Sequence, residues 1–240
     1  MTRPVLAAIP NLPREAESCQ RCASAMRCWP DDAEARGGVR IARRLALRRG
    51  ETLWRQAEAF GAIYVVAHGS LRLSVLHPDG HEQVTGFGFA GEIVGLDGFA
   101  LGRHACTATA LEPTELCRVL WHANGASEAQ AGLEKALLRR LARVRARQAI
   151  QPAAGDAVAA VVAFVEMLRQ RLADRWHDGV LSLPMSRSDI ASHLGIAPET
   201  LSRAFRSLQQ EGRLEANGRD LHWRATPGEA ARAAHAAASG

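Results

Sequence analysis

The stretch that decides the fold is Ser186-Arg187-Ser188-Asp189-Ile190-Ala191-Ser192-His193-Leu194-Gly195-Ile196-Ala197-Pro198-Glu199-Thr200-Leu201-Ser202-Arg203. Ser186, with Asp189 three residues on, forms a capping box that satisfies backbone N–H groups left without partners in a first helical turn. That helix runs through Ala191 to Leu194. Gly195 then makes a tight turn, and Pro198 suits the first turn of a second helix reaching about Glu211. Ala191 and Gly195 let the two helices approach closely, and Ile190, Leu194, Ile196, Leu201 and Leu208 are the expected shared core. Arg213 to Trp223 follows, with the hairpin-turn pair Asn217-Gly218 at its centre. Two helices about a glycine turn, followed by a hairpin, predict a winged helix-turn-helix.

The second helix carries the chemistry. Glu199, Ser202 and Arg203 stand at i, i+3 and i+4, so they project from one face near its start. In a major groove, Arg can donate two hydrogen bonds to a guanine edge and Glu can accept from a cytosine amine. Ser is small enough to sit near thymine or phosphate. The competing reading of the same spacing is a surface Glu199–Arg203 ion pair.

Outward toward the N-terminus, a short strand is expected over Val180 to Leu183 and an apolar helix over about Asp156 to Arg175. Gln151-Pro152-Ala153-Ala154-Gly155 reads as a helix end and domain boundary. Before it, Leu133, Leu137, Leu141 and Val144 recur at helical spacing from about Glu128 to Ile150, with Leu138 beside them. That stripe fits either a helix covering the preceding domain or a dimer helix. Arg139, Arg140, Arg143, Arg145 and Arg147 crowd its other faces. From about Gly50 to Trp121 the texture is that of strands: Ile63 to Val66, then Leu71, Leu73 and Val75 alternating with Arg72 and Ser74. His77-Pro78-Asp79-Gly80 is a turn, Glu82 to Phe89 a further strand, and glycines recur at 86, 88, 91, 95 and 98. This predicts a small antiparallel barrel or roll. Asp31 to Arg49 is polar and Arg-rich, with room for one short helix.

Three of the five cysteines, Cys19, Cys22 and Cys28, are spaced C-x2-C-x5-C in a segment without apolar periodicity. Thiolates gathered so closely can share a soft metal centre, which would also order the loop. Three ligands leave a tetrahedral or cubane site one short, and the remaining cysteines are Cys106 and Cys117. The N-terminus has no continuous apolar signal region. The longest apolar run, Ala157 to Val165, is far below the roughly 20 residues that span a bilayer. The expected setting is cytoplasmic, with no membrane association, where clustered cysteines mean metal or redox chemistry more often than disulfides. Lys+Arg 30 against Asp+Glu 25 gives a formal charge of +5, which permits an anionic partner without requiring one.

Taken together, these pieces resemble the CRP/FNR superfamily of bacterial transcription regulators, and within it the FNR group. The segments that carry the resemblance are Cys19-x2-Cys22-x5-Cys28, Gly80 to Phe87, Gly91-Glu92-Ile93-Val94-Gly95, Ala110-Leu111-Glu112 before Cys117, and Glu199-Thr200-Leu201-Ser202-Arg203. They lie within about residues 19–224. The resemblance implies an α+β fold: an N-terminal antiparallel beta-roll of the cyclic-nucleotide-binding type, a long dimerisation helix and a C-terminal winged helix-turn-helix. The expected domains are an arm with the cysteine loop (1–38), the roll (39–127), the dimer helix (128–152), the DNA-binding domain (153–225) and an Ala-rich tail (226–240). It implies an oxygen-labile [4Fe-4S] cluster held by Cys19, Cys22, Cys28 and Cys117, whose loss weakens a homodimer paired through Leu133, Leu137, Leu141 and Val144. Glu199, Ser202 and Arg203, with Ser186, Arg187, Thr200 and Arg206, are the implied contacts to a palindromic DNA site with TTGAT-type half-sites. RNA polymerase is the further implied partner, with no residues assigned to it. Cys106 matches no family ligand and reads as a small core residue.

Two departures from the family pattern stand out: a shorter link into the DNA-binding domain, and an Arg-rich dimer helix. Cyclic-nucleotide binding is not expected, because His104-Ala105-Cys106-Thr107-Ala108 lacks the Arg of that family's phosphate cassette. The remaining alternatives are a regulator of the same fold with structural zinc, a thiol switch or a small-molecule effector, and a cysteine- or metal-dependent enzyme. No Cys–His–Asp or zincin motif supports the last, and the chain is not expected to be an enzyme.

Overall fold

The computed structural model describes residues 41–119, 156–177 and 179–224, together with residues 135, 137 and 138. It divides into two compact units, residues 1–150 and 151–240.

The first unit is built from β1 (Ile41–Leu47), β2 (Thr52–Trp54), β3 (Ile63–His68), β4 (Ser70–Leu76), β5 (Glu82–Phe89) and β6 (Ile93–Val94). A short helix α1 (Leu96–Leu101) then precedes β7 (Thr107–Ala110) and β8 (Thr114–Val119). The strands form two four-stranded sheets in the orders β1-β8-β3-β6 and β2-β7-β4-β5. Leu47, Trp54, Val66, Leu71, Val94, Ala108, Ala110 and Leu116 make one apolar cluster drawn from both sheets. Burying the valine and leucine side chains among them stabilises by roughly 1.5–3 kcal/mol each. This is the expected roll.

Its turns follow from the sequence. In the His77-to-His81 turn, the Gly80 N–H donates to the His77 carbonyl at 2.9 Å and the His77 N–H to that of His81 at 2.9 Å. Gly69, at φ 84, joins β3 to β4, and a Cβ there would lie 2.5 Å from the Pro113 carbonyl oxygen. No other residue fits that corner.

Two elements differ from expectation. Ile41–Leu47, read as polar with room for a helix, is a strand, because β8 offers it a ladder from Ile41↔Val119 to Leu47↔Thr114. Long-range pairing overrides the local Arg-rich composition. Leu96–Leu101, within the stretch read as strand texture, is helical, entered through Gly95 and left through Gly102, both left-handed. Residues 135, 137 and 138 are helical, with Leu137 buried and Leu138 67% exposed. Leu133, Leu141, Val144 and the neighbouring arginines lie outside the described residues.

In the second unit, α2 (Ala157–Arg171) is capped by Asp156, whose Oδ1 accepts from the Val158 N–H at 2.9 Å. A 3-10 turn (Ala173–Arg175), β9 (Val180–Ser182), α3 (Arg187–Leu194), α4 (Pro198–Gln210), β10 (Leu214–Asn217) and β11 (Asp220–Trp223) follow. The sheet order is β10-β11-β9. Ile190, Leu201 and Leu208 are buried as expected, but Leu194 and Ile196 are only half-buried. Leu183 and Met185, in the segment entering α3, supply interior instead. The hairpin turn is also shifted by one residue: Asn217 pairs with Asp220, leaving Gly218-Arg219 as the loop. Gly218 has φ 58 and Arg219 has no positive φ, the pattern of a II′ turn with glycine first. Among the described residues, no helix is long and apolar enough to cross a membrane.

Candidate nucleic-acid interface

The interface begins with the capping box of α3. The Ser186 Oγ accepts from the Asp189 N–H at 3.1 Å, while Asp189 Oδ2 accepts from the Ser186 N–H at 2.9 Å and its hydroxyl at 2.7 Å. At the far end, Gly195 at φ 66 closes the helix, and the Ile196 N–H reaches back to the Ala191 carbonyl at 3.1 Å. Pro198 sits at the start of α4, where its missing N–H removes nothing.

Helix α4 is strongly two-faced. Leu201, Ala204, Phe205 and Leu208 are buried, while Glu199, Ser202, Arg203 and Arg206 are exposed. At 3.6 residues per turn the four exposed side chains fall within an arc of roughly 100°. The sequence-derived trio is therefore brought together, and Arg206 extends its strip by a turn. Glu199 and Arg203 form no ion pair among the described contacts. The Arg203 Nη2 instead donates to the Thr200 Oγ1 at 3.3 Å. The Ser202 hydroxyl donates to the Pro198 carbonyl at 2.9 Å.

Arg187 stands apart from that strip. Its guanidinium lies 3.9 Å over the Phe205 ring and is half-buried, and desolvation lowers its pKa from the ordinary arginine value. It braces α3 against α4 through a cation–π contact, a role that spacing alone does not reveal. The wing is anchored in the same way: the Trp223 indole N–H donates to Glu166 Oε1 on α2 at 2.7 Å, and Arg213 lies 5.3 Å over the Trp223 ring.

Of the sequence-derived metal ligands, Cys19, Cys22 and Cys28 lie outside the described residues. Cys117 is on β8, paired with Val65 on β3 and Arg44 on β1. Strand alternation puts Leu116 in the cluster between the sheets and Cys117 on the opposite face. Cys117 is nevertheless only 5% exposed, and its cross-strand neighbour Val65 only 1%. Ile63 and Val119, paired on the same face, are buried as well. At Cys117 the sheet is covered on both sides.

Cys106 is also buried, but its surroundings differ. Its carbonyl accepts the Trp54 indole N–H at 2.9 Å, and its thiol points to Asp97 Oδ2 at 3.5 Å. Burial, reinforced by the Asp97 carboxylate, pushes its pKa from about 9 up to about 12. A thiolate there is disfavoured, and a thiolate is what a metal binds. His104, two residues before it, stacks on Trp54 at a centroid distance of 4.3 Å and stands 3.5 Å from Asp97 through Nδ1. A Cβ at Gly98 would come within 2.8 Å of Phe60 and 3.0 Å of His104, so the space beneath α1 is filled by aromatic rings. Among the described residues, no group of three or more His, Cys, Asp or Glu could hold a metal ion.

The two units match two known domain families. Residues 44–122 match the cyclic nucleotide-binding domain, and residues 161–224 the Crp-like helix-turn-helix domain. The chain is 33% identical over 213 residues to the transcriptional activator protein FnrA of Stutzerimonas stutzeri, spanning 85% of this chain and 87% of that one. It is 31% identical over 214 residues to the transcriptional activator protein Anr of Pseudomonas aeruginosa, with the same shares covered. Among solved structures, FixK2 of Bradyrhizobium japonicum superposes with a TM-score of 0.66 at 25% identity, over 79% of this chain and 96% of that one.

Proposed function

The chain belongs to the CRP/FNR family of transcription regulators and is a DNA-binding regulator; from that premise we propose that it is an oxygen-responsive one of the FNR type. The observation that carries the DNA reading is the exposed strip Glu199-Ser202-Arg203-Arg206 on α4, backed by a buried apolar face that fixes its direction. Arg203 donates to a guanine edge, Glu199 accepts from a cytosine amine, and Ser202 lies against a base or phosphate of a TTGAT-type half-site. Arg206 adds positive charge along the same strip. Arg187, seated on Phe205, holds the two helices in register, and Ser186 fixes the start of α3.

For the sensor, Cys19, Cys22, Cys28 and Cys117 would hold a [4Fe-4S] cluster. Such a cluster, when bound, supplies an oxygen-labile cross-link between the N-terminal segment and the roll. The donor chemistry fits: Cys117 is buried on the face of its sheet away from the core cluster, while Cys106 is held protonated beside Asp97. The names of the FnrA and Anr relatives favour the same reading. Leu133, Leu137, Leu141 and Val144 would pair two copies, so that two α4 strips meet the two halves of a palindrome, and RNA polymerase would be the downstream partner. Only a few kcal/mol of differential stabilisation shifts such a monomer–dimer balance.

The test is anaerobic purification, with iron and acid-labile sulfide assays, sizing, and binding to a palindromic TTGAT duplex before and after air. Near-equal iron and sulfide, lost in air together with the dimer and specific binding, is the expected result. A colourless anaerobic protein that holds zinc and resists reconstitution overturns the oxygen reading and leaves a regulator of the same family with a different signal. Separately, Arg203→Ala should weaken specific binding by about 1–3 kcal/mol and binding to scrambled DNA hardly at all.

A further inference from the structure

Glu199 and Arg203 stand one helical turn apart in the orientation that favours an ion pair between them. Such a pair would withdraw both charged groups from a DNA edge. It does not form: the Arg203 Nη2 donates to the Thr200 Oγ1 at 3.3 Å. We propose that Thr200 is a positioning residue for sequence recognition, whose hydroxyl oxygen holds the Arg203 guanidinium away from Glu199 so that both remain available to bases. The proposal rests on the reading that Arg203 contacts a guanine edge.

Three features make Thr200 suited to this. It is half-buried on the flank of α4, beside the exposed strip rather than within it. As a β-branched residue it has few χ1 choices in a helix, which limits the directions its acceptor can take. It also lies one turn toward the helix N-terminus, the direction in which a helical Arg side chain leans. Accepting one Nη2 hydrogen leaves the other Nη2 hydrogen, both on Nη1 and the one on Nε. A two-pronged contact to guanine O6 and N7 is still possible. An arginine already held near its bound conformation also loses less side-chain freedom on binding. Ser202 is restrained in a parallel way: its hydroxyl hydrogen is directed to the Pro198 carbonyl at 2.9 Å, so it faces outward as an acceptor or an apolar edge.

The experiment compares Thr200→Val, which keeps the shape and removes the acceptor, with Thr200→Ser, which keeps the acceptor. The full chain, prepared without oxygen, is titrated onto a duplex carrying two inverted TTGAT half-sites, onto the same duplex with the guanine positions changed, and onto a scrambled duplex. Thr200→Val should weaken binding to the TTGAT duplex by roughly 3- to 10-fold, the worth of one lost hydrogen bond. It should leave the scrambled duplex unchanged, so that discrimination at the guanine narrows. Thr200→Ser should bind within about 2-fold of the parent, a difference too small to represent a lost hydrogen bond. In a Glu199→Ala background the Thr200→Val loss should shrink, because the competing partner is gone.

A Thr200→Val protein that binds all three duplexes like the parent overturns the proposal. So does an equal loss on all three, which marks Thr200 as a phosphate contact. The underlying reading fails differently: Arg203→Ala would then weaken the TTGAT and scrambled duplexes alike. If Arg203→Ala is selective and Thr200→Val is not, the positioning role alone is wrong.

Discussion

The two cysteines of the roll are both buried, at 7% exposure for Cys106 and 5% for Cys117, yet they lie in different parts of the fold. Cys106 lies beneath α1, its thiol aimed at the Asp97 carboxylate, and the two together with burial favour the protonated form. Cys117 lies on the other side of a sheet from Leu116, on a face formed with Ile63, Val65 and Val119. Burial alone therefore does not separate a candidate ligand from a core residue; at Cys106 the carboxylate beside the sulfur adds a second reason against the thiolate that a metal binds.

The largest expected effect is all-or-none. Cys117→Ser should abolish the iron–sulfur centre of anaerobically purified protein, read as iron and sulfide per chain, while Cys106→Ser should keep it. The reverse pattern would exchange the two assignments. Next in size is Leu116→Ala. It removes a fully buried side chain from the cluster between the sheets, next in sequence to Cys117 but on the opposite face, and should lower stability by about 2–5 kcal/mol in chemical unfolding. Iron content in the folded fraction should not change. If Leu116→Ala empties the centre as Cys117→Ser does, the two faces of β8 are not independent.

A smaller effect sharpens the other half of the comparison. The Cys106 pKa is raised in the folded chain, so the stability linked to it is complete below pH 9 and declines as pH rises toward about 12. Cys106→Ser should flatten that alkaline decline, measured as the denaturation midpoint against pH. An unchanged slope would show that Cys106 is not held protonated. The smallest expected change is in thiol chemistry. Asp97→Asn removes one of the causes that raise the pKa, so Cys106 should alkylate faster in the folded protein than in the parent. Equal rates would leave burial as the sole cause.

Much of the second unit was legible in the sequence because its signals are local. The Ser186–Asp189 box, the Gly195 turn and the period of Leu201, Phe205 and Leu208 each depend on residues within a few positions of one another. They fix which face of α4 is buried and therefore which side chains are offered to DNA. The hairpin was legible in kind but shifted by one residue, since the ladder Leu214↔Trp223 to Asn217↔Asp220 sets the loop rather than the Asn-Gly pair. In the roll, β5 was readable to its ends, but β1 was missed because its polar run becomes a strand only when β8 lies beside it.

The sequence by itself determined the roll-then-winged-helix order of the domains, the exposed strip on α4 and the identity of the cysteines that could serve as ligands. Only the tertiary structure decided that Arg187 rests on Phe205, that the Trp223 indole reaches Glu166, and that Asp97 stands against Cys106. The reason is one of range. Periodicity and capping are properties of neighbouring residues, whereas burial and the charge around a side chain are set by segments that meet only after the chain has folded.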